Sequence, residues 1–193
     1  MSIEKTDIPQ AKRRLAQLLL KKSYREGDFL LSSGKRSDYY FDCRVTALSA
    51  EGSWLIGILF NHLLADLSIQ GVGGMTMGAD PLVSSVTVLS HQFGRPLDGL
   101  LVRKEAKGHG TGQFVEGLAN FAPGDCVAML EDVVTTGGSL LRACERVSAC
   151  NLQIVAVCSI LDRGEGGRET LAQAGYNLLS LFTRKELVEL GSQ

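Results

Sequence analysis

Residues 126–139 read CVAMLEDVVTTGGS, and the order of residue types in this stretch decides the fold. The first part, Cys126 to Val134, is a short apolar run of the kind that forms a strand buried on both faces. Two carboxylates, Glu131 and Asp132, stand near its end, followed by Thr135, Thr136, Gly137, Gly138 and Ser139. Glycine lets the backbone approach a ligand closely. Threonine and serine hydroxyls cap helices, and the free N–H groups at a helix start attract phosphate. The pattern predicts a strand, a turn and a helix from about Gly138 to Cys150. A phosphate cradle beside an acid pair that can accept hydrogen bonds from vicinal hydroxyls describes a ribose phosphate. A capped helix after a buried strand would explain the threonines and glycines, but not two carboxylates at the strand's end.

Outward from this stretch the chain alternates. Apolar residues at Ala11, Leu15, Leu18 and Leu19 have helical spacing, so about 9–22 reads as an amphipathic helix with a basic, solvated face. Residues 28–46 read as short extended segments around the turn SSGKRSD. A helix from Ser53 to Ser68 precedes a strand from Gly71 to Met77, and a helix from Pro81 to Phe93 precedes a strand from Asp98 to Arg103. Past the central stretch come a strand from Gln153 to Leu161, a helix after Arg168, a strand from Tyr176 to Phe182 and a last short helix. Strands alternating with helices predict an α/β fold with a mainly parallel sheet. Such sheets bind ligands at the carboxyl ends of their strands.

Bulk properties narrow the function classes. The chain has 193 residues, 45% of them hydrophobic and 21% charged, which suits one domain with a proper core. A formal net charge of -1 gives no field for gathering nucleic acid or an anionic membrane. No apolar stretch reaches membrane-spanning length. The five cysteines (Cys43, Cys126, Cys144, Cys150, Cys158) form no C-x-x-C pair and read as buried reduced thiols of a cytoplasmic protein. His62 and His91 fall in helical patterns and read as structural or surface residues. A Walker A string is absent, and Gly71-Val72-Gly73-Gly74-Met75-Thr76 fails the dinucleotide fingerprint at its last position.

Three further segments carry chemistry. Arg103-Lys104-Glu105-Ala106-Lys107-Gly108-His109-Gly110 concentrates cations among glycines, which reads as a mobile anion clamp, or more blandly as a solvated hairpin loop. Asp162-Arg163-Gly164-Glu165-Gly166-Gly167 follows a strand. Arg163 could pair bidentately with a carboxylate, or form a turn-organising pair with Asp162. Residues 27–41, GDFLLSSGKRSDYYF, end on the aromatics Tyr39, Tyr40 and Phe41.

The central string closely resembles the motif by which type I phosphoribosyltransferases bind 5-phosphoribosyl 1-pyrophosphate (PRPP). The string R-K-E-x-K-x-H-G is similar to the catalytic loop of the orotate phosphoribosyltransferases, and D-R-x-E-G-G to their orotate-contacting segment. The resemblance runs from about residue 24 to 182. It implies the type I phosphoribosyltransferase fold: one domain with a mainly parallel central sheet flanked by helices (49–193), a small N-terminal helix and hood (1–48) and a flexible catalytic loop. It implies transfer of phosphoribose from PRPP to orotate in pyrimidine biosynthesis. Arg103, Lys104, Lys107 and His109 would bind PRPP, as would Glu131, Asp132, Val133, Val134, Thr135, Thr136, Gly137, Gly138 and Ser139. Lys107, Arg103, His109 and Asp132 would be catalytic. Thr135, Arg163, Tyr40 and Phe41 would contact orotate. The loop would act across a homodimer with shared sites, Lys104 serving the partner's site and Arg103, Lys107 and His109 another. Mg2+ would arrive with PRPP, without a direct protein ligand. Ser32 and Gly78 stand where some relatives carry PRPP-binding lysines. Rival readings are a purine or uracil phosphoribosyltransferase, a nucleotide-sensing regulator, and a paralogue that binds PRPP without reacting.

Overall fold

A computed structural model describes residues 6–30, 36–105 and 114–192, apart from the side chains of Leu30 and Ser37. In chain order the elements are α1 (Ile8–Lys22), β1 (Tyr24–Leu30), β2 (Arg36–Phe41), α2 (Cys43–Ala47), α3 (Ala50–Leu63), β3 (Gly71–Met75), α4 (Asp80–Gln92), β4 (Asp98–Val102), β5 (Val115–Glu116), β6 (Cys126–Val134), α5 (Gly138–Ser148), β7 (Gln153–Asp162), α6 (Gly167–Gln173), β8 (Leu178–Thr183) and α7 (Arg184–Gly191). β1 and β2 form an antiparallel hood of their own, and the other six strands form one sheet in the order β5-β4-β3-β6-β7-β8. All neighbours in that sheet are parallel except the short edge strand β5.

β6 shows why the sheet is covered on both faces. Its residues alternate between two cores: Ala128 and Leu130 pack with α1, α3 and α4, while Val127 and Met129 pack with Leu140, Ala143 and Val147 of α5. A strand buried on both sides cannot alternate polar with apolar, which is why the run read as continuously apolar. Glycines let β3 sit tightly between its neighbours: a Cβ on Gly73 would lie 2.1 Å from Leu100 Cδ1 of β4, and one on Gly74 would lie 2.4 Å from the Leu130 carbonyl oxygen of β6.

Two segments depart from the sequence reading. Residues 43–46, expected to be extended, belong to α2. The Asp42 side chain caps its start by accepting from the Arg44 N–H at 3.1 Å, a local bond that a strand pattern does not reveal. The strand expected to reach Met77 stops at Met75, where residues 76–78 turn away before α4; the Thr76–Met77 peptide is cis. α3 also starts and ends earlier than expected, capped at Ser49 and stopping at Leu63.

The strand order places the site. From β3 the chain crosses to β4 on one side, then returns to β6 on the other. Between β3 and β6 the sheet therefore has a switch point, and their carboxyl ends diverge there into a crevice.

Candidate active site

A cleft of about 450 Å³ opens at that switch point. Its walls include Tyr40 and Phe41 from the hood, Asp42 and Arg44 from the start of α2, and Thr76, Met77 and Gly78 after β3. Lys104 after β4, Glu131 and Asp132 near the end of β6, Thr135 and Ser139 just beyond it, and Arg163 after β7 also line it. Segments far apart in sequence thus meet at the ends of four neighbouring strands.

The start of α5 forms a second, smaller hollow continuous with the cleft. Residues 133–140 line it together with Glu131. Gly137 has φ +81°, a left-handed conformation, and no side chain caps this helix end. Its first N–H groups are therefore open to an anion. Gly167 braces the loop from behind: a Cβ there would lie 2.6 Å from the Thr135 carbonyl oxygen and 2.5 Å from Val134 Cγ1.

The acid pair is buried. Glu131 Oε2 has no hydrogen-bond partner among the described residues, whereas Asp132 Oδ1 accepts from the Val133 N–H at 2.9 Å. Burial pushes both carboxyls toward the protonated form, and for Glu131 the nearby Asp132 charge adds to it. Lys104 and Arg44 oppose the shift, on Glu131 and Asp132 respectively. A buried carboxylate oxygen without a donor is costly. It is also the acceptor that a pair of sugar hydroxyls needs.

Arg163 lies against the hood. Its guanidinium sits 4.4 Å from the Tyr39 ring centroid and its Nε 2.7 Å from Glu165 Oε1, with the side chain only 7% exposed. It does not pair with Asp162 as one sequence alternative had it. Asp162 accepts instead from the Gly164 N–H at 2.9 Å and from Arg168 Nε at 3.0 Å, and this organises the turn. Of the two expected aromatics, Phe41 is packed in the core while Tyr40 is 41% exposed at the cleft.

The cationic loop is only partly described. Lys107 and His109 lie outside the described residues, as does Ser32. Lys104 lines the cleft of its own chain, although it was expected to serve a partner's site. Arg103 is directed elsewhere: its Nε donates to Glu116 Oε1 at 2.7 Å. Five residues absent from the predicted site stand in the cleft: Met75, Thr76 and Met77 at the end of β3 and just after it, and two charged groups, Asp42 and Arg44. The signal of the charged pair was an Asp-x-Arg directly after the aromatic strand, read there as part of an extended segment. His62 and His91 are exposed in the last turns of α3 and α4, away from the cleft.

No family model matches the chain. The orotate phosphoribosyltransferase of Thermosynechococcus vestitus is 46% identical over 180 residues, which cover 93% of this chain and 94% of the relative. The crystal structure of Mycobacterium tuberculosis H37Rv orotate phosphoribosyltransferase is similar at a TM-score of 0.80 and 36% identity, covering 92% of this chain and 98% of that one. A structure of the latter enzyme in complex with 5-phospho-α-D-ribosyl 1-diphosphate gives a TM-score of 0.74 at 30% identity, covering 92% of each chain.

Proposed function

The chain belongs to the orotate phosphoribosyltransferase family and has its activity, transfer of 5-phosphoribosyl from PRPP to orotate, giving orotidine 5'-monophosphate and pyrophosphate; from this premise we propose how its own residues do so. The observation that carries the reading is the meeting of an open helix N-terminus, a buried acid pair and an arginine in one cleft. Residues 133–139 receive the 5-phosphate. Glu131 and Asp132 accept hydrogen bonds from the ribose hydroxyls. Arg163 pairs with the orotate carboxylate, and Thr135, Tyr40 and Phe41 border the base.

In the reaction the C1–oxygen bond breaks and its electron pair leaves with pyrophosphate, so the sugar takes on oxocarbenium character. Asp132 stabilises that positive charge. Arg103, Lys104, Lys107 and His109 stabilise the departing negative charge electrostatically. The pyrimidine nitrogen, its N–H proton released to solvent, then bonds to C1 from the opposite face, and the fixed position of orotate supplies proximity. PRPP enters as its magnesium complex, because clustered phosphate charge calls for a hard cation with oxygen ligands. The described residues bring no three metal-ligating side chains together, but the Glu131 and Asp132 carboxylates fit a cation held mainly by the substrate's own oxygens.

We further propose a homodimer. Leu48 and Met77, 74% and 67% exposed, line one shallow apolar groove directly beside the cleft, where a second copy would cover them. Among the described residues no helix is long and apolar enough to cross a membrane. The five free thiols suit a reducing compartment, and we place the enzyme in the cytoplasm on that ground.

The test is orotate consumption followed by ultraviolet absorbance with PRPP and magnesium, with uracil and adenine as parallel substrates. Consumption of orotate alone, lost without PRPP or without the metal, is the expected result. Equal use of uracil would remove the carboxylate role of Arg163, and inertness toward every base would overturn the mechanism.

A further inference from the structure

Resting on that reading, we infer that Arg44 grips the pyrophosphate end of PRPP. The two hollows set the direction of the ligand. The 5-phosphate cradle is lined by residues 133–140, and Glu131 is shared with the cleft. Around the acid pair the cleft is lined by Thr76, Met77 and Gly78, with Gly78 against Asp132, and by Arg44 and Lys104, whose charges act on Asp132 and Glu131. A ribose phosphate with its 5-phosphate in the cradle and its hydroxyls on the acids extends its C1 end into that space.

The space needs positive charge. PRPP carries its pyrophosphate there, and the acidic side chains of the wall, Asp42, Glu131 and Asp132, supply none. Three described cations line the cleft. Arg163 is held against Tyr39 and Glu165 near the hood, which leaves Lys104 and Arg44. The turn itself cannot contribute one. A Cβ on Gly78 would lie 2.8 Å from Asp132 Oδ1 and 3.0 Å from its Cγ, so any side chain at 78 would displace the catalytic carboxylate.

Arg44 is built to present its charge. Asp42 holds it bidentately, with Nε to Oδ1 at 2.8 Å and Nη2 to Oδ2 at 2.9 Å. The same carboxylate caps α2 through the Arg44 N–H. Backbone and side chain are thus fixed by one partner, and Nη1 has no hydrogen bond among the described residues. A planar guanidinium matches phosphate oxygens bidentately and stays charged at any working pH. Pre-set orientation lowers the ordering cost of the contact. Because negative charge grows on pyrophosphate as the C1–oxygen bond breaks, the contact strengthens toward the transition state.

The experiment is calorimetric titration of wild type, Arg44→Ala and Arg44→Lys with three probes in magnesium buffer: PRPP, inorganic pyrophosphate and ribose 5-phosphate. Steady-state kinetics run in parallel. Arg44→Ala is expected to weaken PRPP and pyrophosphate by about 10-fold or more, the size of a lost charge-assisted contact. Ribose 5-phosphate, which lacks the pyrophosphate, should change less than about 2-fold by the same accounting. Lysine, a point charge without the fork, should recover part of the PRPP affinity and less of kcat. Equal loss for all three probes would show that Arg44 acts by shaping Asp42 and Asp132, and unchanged PRPP binding would show no contact; either overturns the inference. If the alanine variant fails to fold, the lysine variant decides by the same selectivity between PRPP and ribose 5-phosphate. Wild-type protein that binds PRPP and consumes orotate while Arg44→Ala behaves like it sinks this inference alone. Wild type that does neither sinks the enzyme mechanism with it.

Discussion

Glu131 brings a carboxylate into the end of a buried strand and leaves one oxygen without a donor. Its pKa is raised well above the ordinary value, first by burial and then by Asp132. The folded state therefore holds the proton to higher pH than the unfolded chain does. The stability tied to this group is complete below the ordinary carboxylate range and is lost as pH rises through the raised value. Asp132 shifts in the same direction, so Glu131→Gln should flatten part of that slope. We expect the variant to melt at the wild-type temperature near pH 4 and several degrees higher near pH 8, since relieving a buried unpaired charged acceptor is worth about 1–3 kcal/mol and each kcal/mol about 2–4 °C at this chain length. Calorimetry across pH checks it, and parallel wild-type and variant slopes would refute it. PRPP should bind the variant more weakly. Arg163→Ala should raise the orotate KM by about 10–100-fold, the loss of a bidentate charge pair, and leave the PRPP KM nearly unchanged; equal effects on both would make Arg163 a structural residue. At this scale the sequence was most legible where chemistry and position coincide. Glu131 and Asp132 close a strand, Thr135, Ser139 and Arg163 follow one, and all reach the cleft. Arg44 was missed because its place depends on a side-chain cap by Asp42, which converts an extended-looking segment into a short helix.

α5 does two jobs from its two ends. Its N-terminus forms the phosphate hollow, while Arg146, near its other end, reaches the base of the cationic loop. The Arg146 guanidinium donates to the carbonyl oxygens of Arg103 and Lys104 and stacks 4.1 Å from the Phe114 ring centroid. The Arg103 N–H closes the same neck by donating to the Phe114 carbonyl at 2.7 Å. One side chain thus holds both feet of residues 103–114 and ties them to the helix that receives the 5-phosphate. Arg146→Ala should lower kcat by about 10-fold or more, because small displacements of transition-state charge contacts are costly, while the orotate KM stays near wild type. Steady-state kinetics with both substrates varied separate these effects; a changed orotate KM with normal kcat would contradict the anchoring role. Arg146 was illegible in the sequence for a physical reason. It lies on an amphipathic helix where a lone arginine reads as a solvated face, and only the fold brings it to a loop more than forty positions away. The alternation of the buried parallel strands with helices was legible, since each buried strand needs a continuous apolar run. β5 was not, because its two residues pair only through tertiary contact with Leu101 and Val102.

At the scale of the whole molecule the question is which chain each loop cation serves. The family resemblance places Lys104 and Arg103 at opposite sites of a dimer, with Lys104 in the partner's. Lys104 instead lines its own chain's cleft and acts electrostatically on its own Glu131, while Arg103 turns to Glu116. If the two still serve opposite sites, the assignment reverses: Lys104 works within its chain and Arg103 across the interface that the Leu48 and Met77 groove suggests. Mixing inactive variants distinguishes the arrangements. In a mixed dimer of Lys104→Ala with Asp132→Asn, a lysine acting within its own chain leaves each site with one defect, so no activity returns. In a mixed dimer of Arg103→Ala with Asp132→Asn, the site with intact Asp132 receives its arginine from the other subunit and works. Random exchange should then restore up to about a quarter of wild-type activity, one working site in the half of the dimers that are mixed. Recovery in the lysine mixture would return Lys104 to the partner's site. Recovery in neither, with exchange shown by size or mass, would place Arg103 within its own chain as well and confine all described catalytic groups to a single subunit.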